Sequence, residues 1–214
     1  STPSNSSAAS DVYKRQPLIE DDVYGDLAGD AQRPPACKAF DRCGNVIYCS
    51  SLSKTLAPGW RIGWIAAGRY HSTVLQARMA GEWAGAPLIE AAANEILASG
   101  DYDRHLRHLK LHIAQGIQAI IAKVETSFPP GTRVAAPEAG FLIWVTLPSQ
   151  IDALEVHRRA LALGIGVSPG PLFSPGAAEL KNFLRLNGAN EPTRHLLNAV
   201  EQLGLLCHEL AAGH

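Results

Sequence analysis

The residues best placed to do chemistry lie in one run, Ser51-Leu52-Ser53-Lys54-Thr55-Leu56-Ala57-Pro58-Gly59-Trp60-Arg61. It sets a lysine among two serines and an arginine, between apolar segments that read as strands. Serine hydroxyls and a guanidinium fork bind a phosphate through charge-assisted hydrogen bonds, each worth about 1.5–3 kcal/mol. An amine beside that phosphate can attack a carbonyl on the same ligand. Pro58 and Gly59 bend the chain so that Arg61 returns toward the serines.

A second polar group lies upstream. Pro17-Leu18-Ile19 is a short apolar run ending in Glu20-Asp21-Asp22, which suits a buried strand that delivers carboxylates at its C-terminal end. Pyridoxal 5'-phosphate (PLP) joins a phosphate and an aldehyde to a ring that acts as an electron sink when its nitrogen is protonated. Either Asp21 or Asp22 can supply the anion opposite that nitrogen. The phenol of Tyr24, three residues beyond Asp21, can hydrogen-bond the ring 3-hydroxyl.

The elements that must hold these groups alternate. Val46-Ile47-Tyr48-Cys49 reads as a strand running into Ser51, and Arg61 to Ala67 as a strand closed by Gly68. Helices are expected over His71 to about Gly81 and Pro87 to Ser99. A long helix capped by Asp101 keeps its apolar period through Val124, up to the stop at Pro129-Pro130-Gly131. Shorter units follow: strands at Arg133–Ala136, Phe141–Leu147, Ile165–Ser168 and Phe183–Leu186, with helices at Asp152–Leu163 and Thr193–Leu210. This order suits a small α+β domain. The expected organisation is a tail over 1–16, part of an α/β domain with its linking helix over 17–128, and a small domain over 129–214.

Composition narrows the partners. The 214 residues are 46% hydrophobic and 18% charged, with a formal net charge of -1, so the chain as a whole lacks the concentrated basic surface that nucleic acid requires. Cys37, Cys43, Cys49 and Cys207 lack the close pairs of zinc sites and read as reduced thiols. The apolar runs are far too short to span a bilayer, and no secretory segment precedes them, so a cytoplasmic chain is expected. Ser1 to Gln16 has no helical or strand period and looks like translated sequencing adapter or a disordered tail. His105, His108 and His112 share helical spacing but lack an acidic partner, which favours a solvated helix face over a metal site. Trp60, Trp64, Trp83 and Trp144 read as core or interface residues.

Taken together, these motifs resemble the PLP-lysine signature of the fold type I, class I/II aminotransferases. The resemblance runs from Pro17 to Leu210 and implies a partial large domain, built as a three-layer α/β/α sheet, followed by a small α+β domain. It implies that Lys54 forms the Schiff base with PLP and shuttles the proton, while Ser51, Ser53 and Arg61 hold the phosphate. By the same likeness Asp21 partners the pyridinium, Tyr24 the 3-hydroxyl, and Arg185 in Asn182-Phe183-Leu184-Arg185-Leu186-Asn187 grips the substrate α-carboxylate. The alternative for Arg185 is a surface ion pair on an edge strand. A narrower likeness, through Glu20–Gly25, Tyr48–Lys54 and Gly164–Ser174, is to the C-terminal domain of MocR-type GntR regulators. Two functions are therefore expected as alternatives. One is an aminotransferase moving an amino group from an amino acid to a 2-oxo acid. The other is an effector-sensing domain whose DNA-binding part lies outside this chain. The resemblance also implies a homodimer and marks the chain as a fragment that lacks the upstream half of the large domain.

Overall fold

The computed structural model describes residues 16–28, 33–81, 85–176 and 179–213. Trp83 and the expected tail, apart from Gln16, lie outside them. The chain divides between Leu106 and Arg107 into two compact units. The division falls inside the long helix, ahead of the boundary expected near Phe128. Its cause is the apolar stripe Ile113, Ile117, Ile120 and Val124, which is buried in the second unit.

The first unit is built on three strands, β1 (Leu18–Asp21), β2 (Val46–Ser51) and β3 (Gly63–Ala66), in the order β1-β2-β3. The β1–β2 pair is parallel, with Asp21 opposite Cys49, and the β2–β3 pair is antiparallel, with Ser51 opposite Gly63. Helices α1 (His71–Gly81) and α2 (Pro87–Ala98) follow, then the long α3 (Asp101–Ser127) that runs into the second unit. The expectation of a buried first strand is corrected here: Leu18 is 50% and Ile19 67% exposed. β1 is an outer strand, and no strand among the described residues pairs with its other edge. Burial is reserved for the central strand, at Val46 and Ser50.

One carboxylate organises the approach to β2. Asp41, with a side chain only 4% exposed, accepts hydrogen bonds from the backbone N–H of Cys43, Asn45 and Val46 at 3.1, 2.9 and 2.9 Å, and from Lys38 Nζ at 3.0 Å. These bonds, led by that of Val46, hold its carboxyl well below the usual range. Glu20 on β1 accepts from the N–H groups of Cys37 and Lys38 at 2.7 and 3.0 Å, which ties the same turn to the neighbouring strand.

The second unit is an antiparallel sheet in the order β4-β5-β7-β6, from β4 (Arg133–Ala135), β5 (Leu142–Thr146), β6 (Ser168–Pro169) and β7 (Phe183–Asn187). β5 alternates as its sequence requires, with Ile143 and Val145 fully buried beside Leu184 of β7. Helices α4 (Ala153–Ala162) and α5 (Arg194–Ala211) pack on each other through buried Val156, Ala160, Leu203 and Cys207. Both start at side-chain caps: Asp152 accepts from Leu154 N–H, and Thr193 from Leu196 N–H. The strand expected over Ile165–Ser168 instead begins at Ser168. Ile165 N–H is bonded to Ala160 O at 2.9 Å in a left-handed helix stop at Gly164, φ 75°, so that stretch finishes the helix.

Gly116 on α3 marks a close approach within this unit, since a Cβ there would overlap the carbonyl oxygen of Gly188. Gly116→Ala is expected to lower unfolding free energy by about 1–2 kcal/mol by denaturant titration, despite the better helix propensity of alanine. A second expectation concerns acid. The folded Asp41 carboxyl titrates below its unfolded value of about 3.9, so the stability it contributes is present above that pH and lost as pH falls through the folded pKa. Asp41→Asn should remove that part of the acid sensitivity in unfolding curves recorded between about pH 5 and pH 2.

Candidate functional site

The parallel pairing of β1 and β2 brings two polar strand ends side by side. Asp21 closes β1 opposite Cys49, and β2 continues two residues further to Ser51. The Asp22 N–H donates to Cys49 O at 2.8 Å, and the Ser50 hydroxyl donates to Asp22 O at 3.1 Å, so the two ends are stitched together. Beyond β1 the chain enters a tight turn that carries Tyr24 into a short 3-10 segment, Gly25–Leu27.

Beyond β2 the chain coils. Leu52, fully buried, offers its carbonyl to the N–H groups of Thr55, Leu56 and Ala57 at 3.3, 2.9 and 3.1 Å. Lys54 sits on the outside of this coil, exposed, while Thr55 beside it is 2% exposed. Ser53 N–H reaches Ser51 Oγ at 3.4 Å. A 3-10 turn over Pro58–Trp60 then ends at Arg61, whose φ of 54° makes it the only non-glycine residue with positive φ among the described residues. That left-handed step turns the chain back: Leu52 N–H bonds Ile62 O at 3.1 Å, and Gly63 pairs with Ser51. Arg61 therefore returns next to the serines, as Pro58 and Gly59 led one to expect. Neither Lys54 nor Arg61 makes a hydrogen bond or ion pair with the described residues.

The two adjacent aspartates differ. Asp22 is taken by Arg33 and by the Tyr48 hydroxyl, which donates to it at 2.7 Å. Burial and this carboxylate both push the Tyr48 phenol pKa up. Among the described residues Asp21 accepts only the N–H of Val23, at 3.3 Å. Its charge and burial raise the pKa of the neighbouring Cys49 thiol, burial contributing more.

Arg185 lies in the other unit, on a strand flanked by β5 and β6, opposite Trp144 on one side and Ser168 on the other. It is thus on an inner strand, and it forms no ion pair with the described residues. Its guanidinium lies 3.9 Å from the centroid of Phe173, which meets Trp144 edge-on at 5.4 Å. Stacking covers the face of the fork and leaves its N–H edges for an anion.

Not every expected residue joins the site. Trp64 is 41% exposed on β3, contrary to a core reading. A cleft of about 920 Å³ opens beside β3, lined by Trp60, Arg61, Trp64, His71, Arg78 and Glu90 among others, and of the candidate residues only Arg61 reaches it. His105 is more than a solvated residue: its Nε2 donates to the Thr55 carbonyl at 2.8 Å. No group of three metal-ligating side chains occurs among the described residues. All four cysteines are free thiols, with Cys37 and Cys43 exposed and Cys207 buried. Missed in the sequence were Asp26, Arg33 and Tyr102, which bond to one another or to Thr55 over separations that no local spacing reveals. No helix among the described residues is long and apolar enough to cross a membrane.

The family model described as aminotransferase class I and II matches residues 10–203. Among curated proteins, the HTH-type transcriptional regulator YjiR of Escherichia coli is 34% identical over 187 residues, 87% of this chain and 40% of its own length. Aromatic-amino-acid aminotransferase 1 of Thermococcus litoralis is 30% identical over 187 residues, 87% of this chain and 45% of its own. The crystal structure of LysN, an α-aminoadipate aminotransferase from Thermus thermophilus complexed with N-(5'-phosphopyridoxyl)-L-leucine, has a TM-score of 0.84 at 26% identity. It is matched over 100% of this chain and 56% of that one. The chain thus spans roughly half, or less, of the length of these relatives.

Left-handed φ costs a residue with a Cβ on the order of 1 kcal/mol. Arg61→Gly is expected to be about 1 kcal/mol more stable than Arg61→Ala, read as the difference in denaturant midpoints, although both lose the guanidinium.

Proposed function

The chain belongs to the aminotransferase class I and II family, and from that premise we propose that Lys54 is the lysine of a PLP site whose other walls lie in the rest of the parent protein. The observation that carries this reading is the coil after β2, which presents Ser51, Ser53, Lys54 and Arg61 together beside the carboxylate of Asp21. The donor set fits the group: hydroxyls and a guanidinium for a phosphate, an amine for an aldehyde, a carboxylate for a basic ring nitrogen. The phosphopyridoxyl complex of LysN adds support.

Within that reading, Ser51, Ser53 and Arg61 hold the phosphate, Asp21 keeps the ring nitrogen protonated, and Tyr24 bonds the 3-hydroxyl. PLP supplies the aldehyde and the electron-accepting ring. Lys54 Nζ would be the amine that holds the group through its aldehyde, and the same amine, when free, would carry the proton away from the substrate α-carbon. Arg185 fixes the α-carboxylate through two parallel hydrogen bonds. The intact parent thereby transfers an amino group from an amino acid to a 2-oxo acid, as a cytoplasmic homodimer. In this reading residues 17–128 are the C-terminal part of the PLP-binding domain with its linking helix, and 129–214 the small domain.

A second reading is favoured by one observation: relatives such as YjiR are HTH-type transcriptional regulators. In it the same residues bind PLP and an amino compound, and binding biases a domain arrangement that alters the grip on DNA of a part outside this chain. Turnover of amino acid plus 2-oxo acid by the intact parent supports the enzyme. Ligand-dependent DNA binding without turnover supports the regulator.

For the parent reconstituted with PLP, Lys54→Ala should abolish the borohydride-reducible adduct and lower amino transfer by about 10²–10⁴-fold. Retention of an equal adduct would refute the assignment. Arg185→Ala should weaken amino-acid binding by about 10–100-fold while PLP binding changes little, and equal losses would remove its carboxylate role.

A further inference from the structure

Lys54 has no bonding partner of its own among the described residues, yet the residue after it is among the best anchored in the first unit. Thr55 is 2% exposed, its carbonyl accepts from His105 Nε2 at 2.8 Å, and its hydroxyl lies 2.9 Å from the Tyr102 hydroxyl. Tyr102 in turn lies 2.9 Å from Asp26 Oδ2. A carboxylate only accepts, so Tyr102 gives its proton to Asp26 and receives one from Thr55. Burial first, and then Asp26, push the Tyr102 phenol pKa up to about 12, which keeps it a donor.

The second oxygen of Asp26 is held by Arg33. Arg33 also grips Asp22 and donates to the Tyr48 hydroxyl at 3.1 Å. The continuous series Asp22, Arg33, Asp26, Tyr102 and Thr55 thus begins one residue after Asp21 and ends one residue after Lys54. Its members come from the end of β1, the turn beyond it, the coil after β2 and the first turn of α3. Local sequence does not join these segments, whereas the two groups that must face opposite ends of one ligand are both flanked by the series.

We propose that this series is a polar brace that sets Lys54 against Asp21, and that Tyr102 and Thr55 are positioning residues for the cofactor lysine. The proposal rests on the reading of Lys54 as that lysine. An exposed amine on a coil gains reactivity when the backbone beneath it is fixed, because less freedom is lost on reaching the bonding geometry. The brace supplies that fixation without touching the reacting atoms.

The test uses the intact parent protein. Borohydride reduction of the wild type with PLP, followed by peptide mapping, comes first. Absence of the adduct from Lys54 would overturn the underlying reading and the brace with it. With the adduct on Lys54, Thr55→Val and Thr55→Ser are compared. A brace needs the hydroxyl, so the serine variant keeps wild-type behaviour, while the valine variant releases PLP about tenfold faster. The valine variant also gives a Lys54 whose acylation rate in the cofactor-free protein departs from wild type. A packing role alone reverses this order, since valine keeps the volume and serine loses a methyl group. Tyr102→Phe, which retains the ring, should match Thr55→Val. Release rates and Lys54 acylation within twofold of wild type in both Thr55→Val and Tyr102→Phe would overturn the brace while leaving Lys54 as the PLP lysine.

Discussion

The parallel pairing of β1 with β2 is the constraint from which the rest of the site follows. Parallel strands end at the same edge of a sheet, so whatever follows each strand emerges beside whatever follows the other. Here β1 ends at Asp21 and β2 at Ser51, in a register that sets Asp21 opposite Cys49. A one-residue slip would move Asp21 to the other face of β1 and part it from its neighbours. The Asp22 to Cys49 and Ser50 to Asp22 hydrogen bonds hold that register at one end, and the Leu18 N–H to Asn45 O bond at 3.1 Å holds it at the other.

The antiparallel return of β3 completes the constraint. It brings Arg61 back to Ser51 through one left-handed residue, and the geometry of that reversal depends on the Leu52 carbonyl receiving three N–H groups. A charged residue carries positive φ where glycine would relax more easily, which is the pattern of strain retained where a particular side chain is needed. Arg61 and Lys54 are left without protein partners among the described residues, whereas Asp22, Asp26, Asp41 and Arg33 are all engaged. That division separates groups that support the fold from groups open to a ligand.

Much of this was legible in the residues. The Ser51–Arg61 run and the Glu20–Asp22 cluster stood out through residue type and spacing, and periodicity located the helices to within a residue or two at most ends. The buried reading of Leu18 and Ile19 failed because a hydrophobic run reports a strand but not what covers it. The Ile165 strand failed because the left-handed stop at Gly164 used the Ile165 N–H to finish a helix. That Asp22 is engaged by Arg33 and Tyr48 needed coordinates, because both are remote from it in sequence. The same holds for the Tyr102 to Thr55 bond, for which neither residue carries a local signal.

The proposed function turns on one atom, Lys54 Nζ. The most direct test is to incubate the intact parent protein with PLP, reduce it with borohydride, digest it, and find by mass spectrometry which lysine carries the phosphopyridoxyl group. A single modification on the peptide containing Lys54 is the expected result. Modification of Lys38, Lys110, Lys123 or Lys181 in its place, or a label spread over surface lysines, would contradict it.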